Sequence, residues 1–308
     1  MSIGYQLRDF EVVDYQLWGY RTAKRSFILR GPKPVLRPNS YISCVGGAFT
    51  FGCFVEDPWP TLLGNSLGMD VLNLGQAGAG PKWFNRPEQS ELIDLINGSC
   101  VAIIMVMSGR SDENSRLENE QGLELLSLKE TGESMFANAA WNRLLDEHDN
   151  NEVLRLVQET RINYCHNFVA FLQRITAPKL LFWFSQRKPE YQEEFTRFHS
   201  LSGGFPELVN RALLDNLLPY VDDYVECITS KGRPHVLINR FTGLEAKVNH
   251  SFTNVFANLP SRDTLTVESG HDPLSVNIHY PTPGMHCDAA LALEPNCRQL
   301  LSSNYQQK

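Results

Sequence analysis

Five short apolar runs punctuate the chain, and a glycine or a polar turn follows most of them. They are Tyr41–Gly47, Asp70–Gly75, Val101–Met107, Lys179–Ser185 and Asp223–Ile228. The densest, Val-Ala-Ile-Ile-Met-Val-Met at 101–107, contains no polar position. Such a run predicts a strand covered on both faces, the habit of a central parallel strand. Between the runs, apolar residues return at helical spacing. The longest such stretch, 152–175, carries Val153, Leu156, Ile162, Phe168, Phe171 and Leu172. Shorter helices are predicted over Trp59–Leu67, which Pro58 and Pro60 introduce, over Gln89–Asn97, over Pro206–Leu218 and near Cys287–Leu293.

Strands alternating with helices predict a parallel sheet with right-handed crossovers. The expected fold class is therefore α/β: a three-layer, doubly wound, mainly parallel five-stranded sheet of flavodoxin-like type, with insertions. Residues 1–40 read as an irregular N-terminal arm ending in the turn-rich Gly31–Ser40. A single domain is expected over 41–293, with a C-terminal tail over 294–308. Within the domain, the polar stretch 112–150 and the Pro-, Asn-, Ser- and Thr-rich stretch 229–275 read as insertions.

Composition narrows the function classes. The chain has 308 residues, 42% hydrophobic and 20% charged, which is globular in character. A net charge of -7 argues against a broad phosphate-backbone interface, so no nucleic-acid partner is expected. The seven cysteines are scattered with no CxxC pair, which points to a reducing, cytoplasmic compartment. The N-terminus lacks a basic start followed by an apolar run, and no run is long enough to span a bilayer. No His, Asp or Glu spacing suggests a metal, the loop pair His271-Asp272 included, and no cofactor is expected.

Ligands of open α/β sheets bind beyond the carboxyl ends of the strands, so the residues just after each run are the candidates. The first run ends in Gly46-Gly47-Ala48, where a backbone N–H at a helix start could face a ligand; a plain tight turn explains the same residues. The second ends at Gly75, which allows close approach of a ligand. After the third stand Ser108, Gly109, Arg110, Ser111 and Asp112, a concentration of hydroxyls, a guanidinium and a carboxylate. After the fourth stands Arg187, suited to clamp an anion or to make a surface ion pair. Near the C-terminus, His286 precedes the last predicted helix. A histidine there has a general base's chemistry, although a packed histidine fits the position too.

Taken in order, these blocks resemble the SGNH/GDSL hydrolase superfamily over roughly 41–293. That resemblance implies a nucleophilic serine in the first block, a glycine in the second, Gly-x-Asn-Asp in the third and Asp-x-x-His in the fourth. Here the blocks are Gly46-Gly47-Ala48, Gly75, Gly109-Arg110-Ser111-Asp112 and Pro283-Gly284-Met285-His286. The whole chain also resembles an uncharacterised bacterial domain family related to these enzymes. Asn73-Leu-Gly, Met107-Ser-Gly-Arg-Ser, Phe182-Trp-Phe-Ser, Gly204-Phe-Pro, Arg240-Phe-Thr-Gly and Tyr280-Pro-x-x-x-Met-His286 carry that second resemblance, which implies no activity. The departures from the hydrolases are chemical. Ala48 has no oxygen with which to form an acyl-enzyme, Ser111 replaces the amide of an oxyanion hole, and Pro283 replaces the acid that would orient His286.

Three functions fit this pattern. The favoured one is a divergent enzyme performing acyl or other group transfer on a small polar or carbohydrate-like substrate. His286 is its base, and Gly47, Ala48, Gly75, Gly109, Arg110, Asp112 and Arg187 bind the substrate or an anionic group on it. The second is a pseudo-hydrolase that binds a ligand or partner without catalysis. The third is a hydrolase whose nucleophile has moved to Ser108 or Ser111.

Overall fold

The computed structural model describes residues 2–22, 24–248 and 275–306. The arm holds helix α1 (Ser2–Asp9) and a hairpin of β1 (Trp18–Arg21) and β2 (Ser26–Leu29). Then come β3 (Tyr41–Gly46), α2 (Ala48–Phe51), α3 (Trp59–Leu67), β4 (Asp70–Gly75), α4 (Pro81–Asn85), α5 (Ser90–Asn97) and β5 (Val101–Met105). The polar stretch folds as a small antiparallel sheet, β6 (Leu117–Glu118), β7 (Leu125–Leu128) and β8 (Ser134–Phe136), followed by α6 (Ala137–Glu147). Helix α7 (Asn150–Arg174) leads to β9 (Lys179–Ser185), α8 (Phe198–Ser202), α9 (Arg211–Asp215) and β10 (Asp223–Ile228). Short strands β11 (His235–Val236) and β12 (Val276–Asn277) pair antiparallel before the last helix, α10 (Pro283–Gln306).

The central sheet has five strands in the spatial order β10-β9-β5-β3-β4. Every pairing in it is parallel. Counted along the chain this is the flavodoxin-like order 2-1-3-4-5, and its parallel pairing is what the alternating pattern predicted. Alternation along each strand divides the core. Tyr41, Val45, Ile104, Leu181 and Trp183 face α5 and α7. Ile42, Cys44, Ile103, Phe182 and Phe184 face α3 and α10. Both faces are therefore covered by helices, which is why the strands read as unbroken apolar runs. Asp149 starts α7 by accepting from the N–H groups of Asn151 and Glu152, satisfying two donors that a helix start leaves open.

Several stretches differ from their sequence reading, beginning with the arm expected to be irregular, which holds α1 and the β1–β2 hairpin. The helix expected over Pro206–Leu218 contracts to Arg211–Asp215 and a 3₁₀ turn at Leu218–Tyr220. The last helix continues past Leu293 through Pro295 to Gln306. Pro295 removes the N–H that would bond the carbonyl of Leu291. Leu291 is 66% exposed, so water can take that carbonyl's hydrogen bond. Much of the predicted 229–275 insertion, together with His271 and Asp272, lies outside the described residues.

Candidate functional site

The chain leaves β3 toward β4 on one side, while β5 pairs with β3 on the other. In open α/β sheets such a reversal is where a ligand crevice is expected, here beyond the carboxyl ends of β3 and β5, at the turns 46–48 and 106–112. Gly47 precedes the single turn of α2, and Ala48 is half-buried at its start. Gly75 lies opposite Gly46, and a Cβ there would stand 2.1 Å from the backbone nitrogen of Phe51. Glycine is thus required to let α2 pack on the end of β4. The Gly75 N–H donates to Oδ1 of Asn73 (2.8 Å), whose Nδ2 donates to the carbonyl of Thr50 (2.9 Å). Asn73 ties the two turns together, and the Gly75 N–H is already spent within the fold.

The loop after β5 is fastened at several points. Gly109 N–H donates to the Glu207 carbonyl (2.9 Å), Trp141 Nε1 to the Arg110 carbonyl (2.9 Å), and the Tyr164 hydroxyl to the Met107 carbonyl (2.6 Å). The Ser108 Oγ accepts from the Arg110 N–H (3.3 Å). Ser111 is buried, and its carbonyl accepts from Asn119 Nδ2. Asp112 is 3% exposed and accepts from Asn167 Nδ2 (2.6 Å). Burial pushes the Asp112 carboxyl up to about 7, against the pull of Asn167 and Lys82.

Arg110 does not present an uncompensated charge. Its guanidinium pairs with Glu207 (2.5 Å) and Glu124 (2.7 Å). Burial would lower its pKa, but those two carboxylates more than offset this and raise it. One cation between two carboxylates leaves the cluster with a formal charge of -1, a poor setting for an anionic ligand. Arg187 is also spent: its guanidinium donates to the carbonyls of Gly204, Pro206, Val209 and Lys188 and lies over the rings of Trp183 and Tyr191. It holds the backbone of 204–209 in place.

His286 occupies the first turn of α10 and is fully buried. Its Nδ1 accepts the backbone N–H of Trp59 (3.1 Å), and its ring packs against Phe184 with centroids 5.7 Å apart. Phe49 stacks on Phe205 at 3.9 Å and meets Phe184 edge-on at 6.0 Å. Burial first, then the charges of Arg30 and His235, push the imidazole down to about 3, so it is neutral near pH 7. A neutral ring whose Nδ1 accepts carries its hydrogen on Nε2. That nitrogen then has no lone pair with which to take a proton. The role of general base does not follow from this geometry, and no hydrogen bond among the described residues joins His286 to Ser108, Arg110 or Ser111.

The residues around Arg110 are ones that sequence reasoning did not single out. Glu124 and Glu207 bracket its guanidinium. His279 feels the charges of both Arg110 and Glu207, and burial, Arg233 and Arg110 lower its pKa. Beside Glu207 lies a cavity of about 190 Å³ whose polar lining includes Asn138, Asn142, Arg197 and His199. The Glu207 Oε2 is buried and has no hydrogen-bond partner among the described residues. The available signal was the density of carboxylates and amides in 112–150 and 190–210, which carries no spacing that points to one site. No group of three or more His, Cys, Asp or Glu among the described residues is placed to hold a metal ion. No helix among them is long and apolar enough to cross a membrane.

Comparison with known proteins adds the following. Residues 2–116 match the model of a family described as Domain of unknown function (DUF6473), a span that holds Ala48, Gly75, Arg110 and Asp112. No curated protein matches the sequence. A solved structure of a Corynascus thermopiles (Myceliophthora fergusii) carbohydrate esterase family 2 enzyme with its carbohydrate binding domain is similar at 11% identity and a TM-score of 0.41. The similarity covers 90% of this chain and 71% of that one.

Proposed function

We propose that the chain is a non-catalytic, ligand-binding relative of the SGNH-type hydrolases. One observation carries this reading: the Trp59 N–H donates to His286 Nδ1. In an acyl-transfer triad the base keeps its hydrogen on Nδ1, where an acid orients it, and offers the Nε2 lone pair to the nucleophile. Here the donor and acceptor ends are exchanged, and an imidazolium is opposed by complete burial. Ala48 supplies no nucleophile, and the stacked rings of Phe49 and Phe205 occupy the neighbouring space. Binding falls instead to the Glu207 cavity. Asn138, Asn142, His199 and Ser202 in its lining supply hydrogen-bonding groups, and the net negative Arg110 cluster favours a neutral polyol or an amine over an anion.

Restoring the missing oxygen tests the reading directly. Ala48→Ser is expected to remain unlabelled by a fluorophosphonate probe and inactive on p-nitrophenyl acetate, because no base stands ready for it. Covalent labelling of that serine, or turnover by the natural chain that is lost on His286→Gln, would overturn the proposal. In a nitrogen NMR spectrum of the natural chain, His286 is expected as the neutral Nε2–H tautomer.

A further inference from the structure

Gly80 ends the loop after β4, and its extended backbone (φ -98°, ψ 178°) is one that any residue adopts. A Cβ built on it would meet nothing closer than 3.8 Å, so the missing side chain leaves room. The three atoms nearest that point are all oxygens: the Ser108 carbonyl at 3.8 Å, the Gly122 carbonyl at 3.9 Å and Asp112 Oδ2 at 4.0 Å. They belong to the loop after β5 and to the turn between β6 and β7, so three separate segments wall one recess with acceptors.

Two of these oxygens are not used by the fold. Asp112 Oδ1 accepts from Asn167 Nδ2 (2.6 Å), whereas Oδ2 has no hydrogen-bond partner among the described residues. Asp112 is 3% exposed, yet Oδ2 is not one of the unpartnered side-chain oxygens sealed from solvent. The Ser108 carbonyl accepts no hydrogen bond among the described residues either. The Gly122 carbonyl accepts from the Gly80 N–H (3.0 Å) and keeps a second lone pair. The other charges that Asp112 feels, Lys82 and Glu113, pair with each other (2.8 Å). Tyr164, which feels the Asp112 charge in turn, donates its hydroxyl to the Met107 carbonyl. The carboxylate thus lacks a cation of its own, and a buried charge without one is costly.

We propose that this recess binds the ammonium group of a small primary amine. An ammonium carries three donors and no acceptor, which matches Asp112 Oδ2 and the carbonyls of Ser108 and Gly122, and its charge offsets that of the carboxylate. The recess shares no lining residue with the cavity beside Glu207 and does not depend on how that one is used.

NMR titration of the whole chain, followed at the Gly80 and Gly122 amide signals, tests it with the chlorides of ethylammonium, tetramethylammonium and potassium. Ethylammonium is expected to bind about tenfold more tightly than tetramethylammonium, which has the charge but no N–H, and than potassium, which is not a donor. With the carboxyl at about 7, its ionised fraction rises from about a tenth at pH 6 to about nine-tenths at pH 8, so ethylammonium affinity should rise about tenfold over that range. Asp112→Asn should weaken binding at pH 8 and remove this dependence. Gly80→Ala fills the recess with a methyl in ordinary contact with its walls. It should unfold at the natural chain's temperature yet bind about tenfold more weakly or not at all. Undiminished binding by a folded Gly80→Ala, equal affinity for the three cations, or no shift of either signal with ethylammonium at about 0.1 M would overturn the assignment. The comparison of cations and of pH on the natural chain stands even if a variant fails to fold.

Discussion

Replacing Asp112 by asparagine isolates what it costs to hold a carboxylate in the buried rim. Burial moves this carboxyl from 3.8 up to about 7. Between those values the folded protein keeps a proton that the unfolded chain has released. The folded state therefore binds more protons, and stability falls as pH rises through that window, then levels off. Each pH unit within it costs about 1.4 kcal/mol. From about pH 5 to about pH 8 the window covers roughly two units, so the carboxyl's contribution worsens by about 3 kcal/mol. Asparagine keeps an acceptor for Asn167 Nδ2 and carries no charge to desolvate. His286 acts in the opposite sense. Its pKa falls from 6.5 to about 3, so the unfolded chain binds the extra proton, and stability is lost as pH falls below 6.5. Over their shared range the two slopes oppose each other. Subtracting one protein from the other removes the His286 contribution. Urea unfolding of the two proteins, followed by tryptophan fluorescence, should show Asp112→Asn gaining about 3 kcal/mol over the natural chain on going from pH 5 to pH 8. A change below about 1 kcal/mol, or one of opposite sign, would show that the carboxyl ionises normally in the fold.

Gly75→Ala places a Cβ 2.1 Å from the Phe51 nitrogen, a backbone atom that cannot yield without moving α2. It should cost about 2–3 kcal/mol in chemical denaturation, as overpacking does, and a loss under about 0.5 kcal/mol would show that α2 shifts freely. Arg30 is 1% exposed and donates to the carbonyls of Tyr15, Gly31, Phe51, Val55 and Glu56. Arg30→Met strands those carbonyls and should destabilise by about 3 kcal/mol or more, with Arg30→Lys giving little rescue because an ammonium lacks the planar fork; thermal unfolding of the two variants checks both statements.

The sheet was legible because each strand is buried on both faces and therefore lacks polar interruptions. The run at 101–107 contained β5 for this reason. The strand-end rule then placed Gly47, Gly75 and the 108–112 loop at one rim without any side-chain information. What the sequence did not show were long-range polar partners. Arg110 reads as a spare guanidinium until Glu207, 97 residues away, folds back onto it. Arg187 reads as an anion clamp, yet the carbonyls of 204–209 absorb its donors. His286 has the position of a general base, and only a backbone N–H 227 residues distant reverses its tautomer. No local pattern encodes such pairings, because they depend on which loops the topology brings together. The small sheet of β6–β8 was missed for a different reason: its strands have two to four residues, too short for a period to register.

The rim residues divide by whether their polar atoms are already paired. Asn73, Arg110 and Arg187 are closed by partners within the fold, and each joins segments far apart in sequence. Groups closed in this way fix geometry but have little left to offer a reacting molecule, since using them requires breaking charged or buried hydrogen bonds first. A hydrolase needs the reverse: a hydroxyl, a base lone pair and N–H donors all pointing at one empty point. At this rim residue 48 is an alanine without an oxygen, the His286 Nδ1 lone pair is turned to Trp59, and the Gly75 N–H is taken by Asn73. Among the described residues, His286 Nε2 is itself buried with no partner, as is Glu207 Oε2. On the proposed reading, a rim whose side chains are closed in this way is suited to recognition rather than turnover.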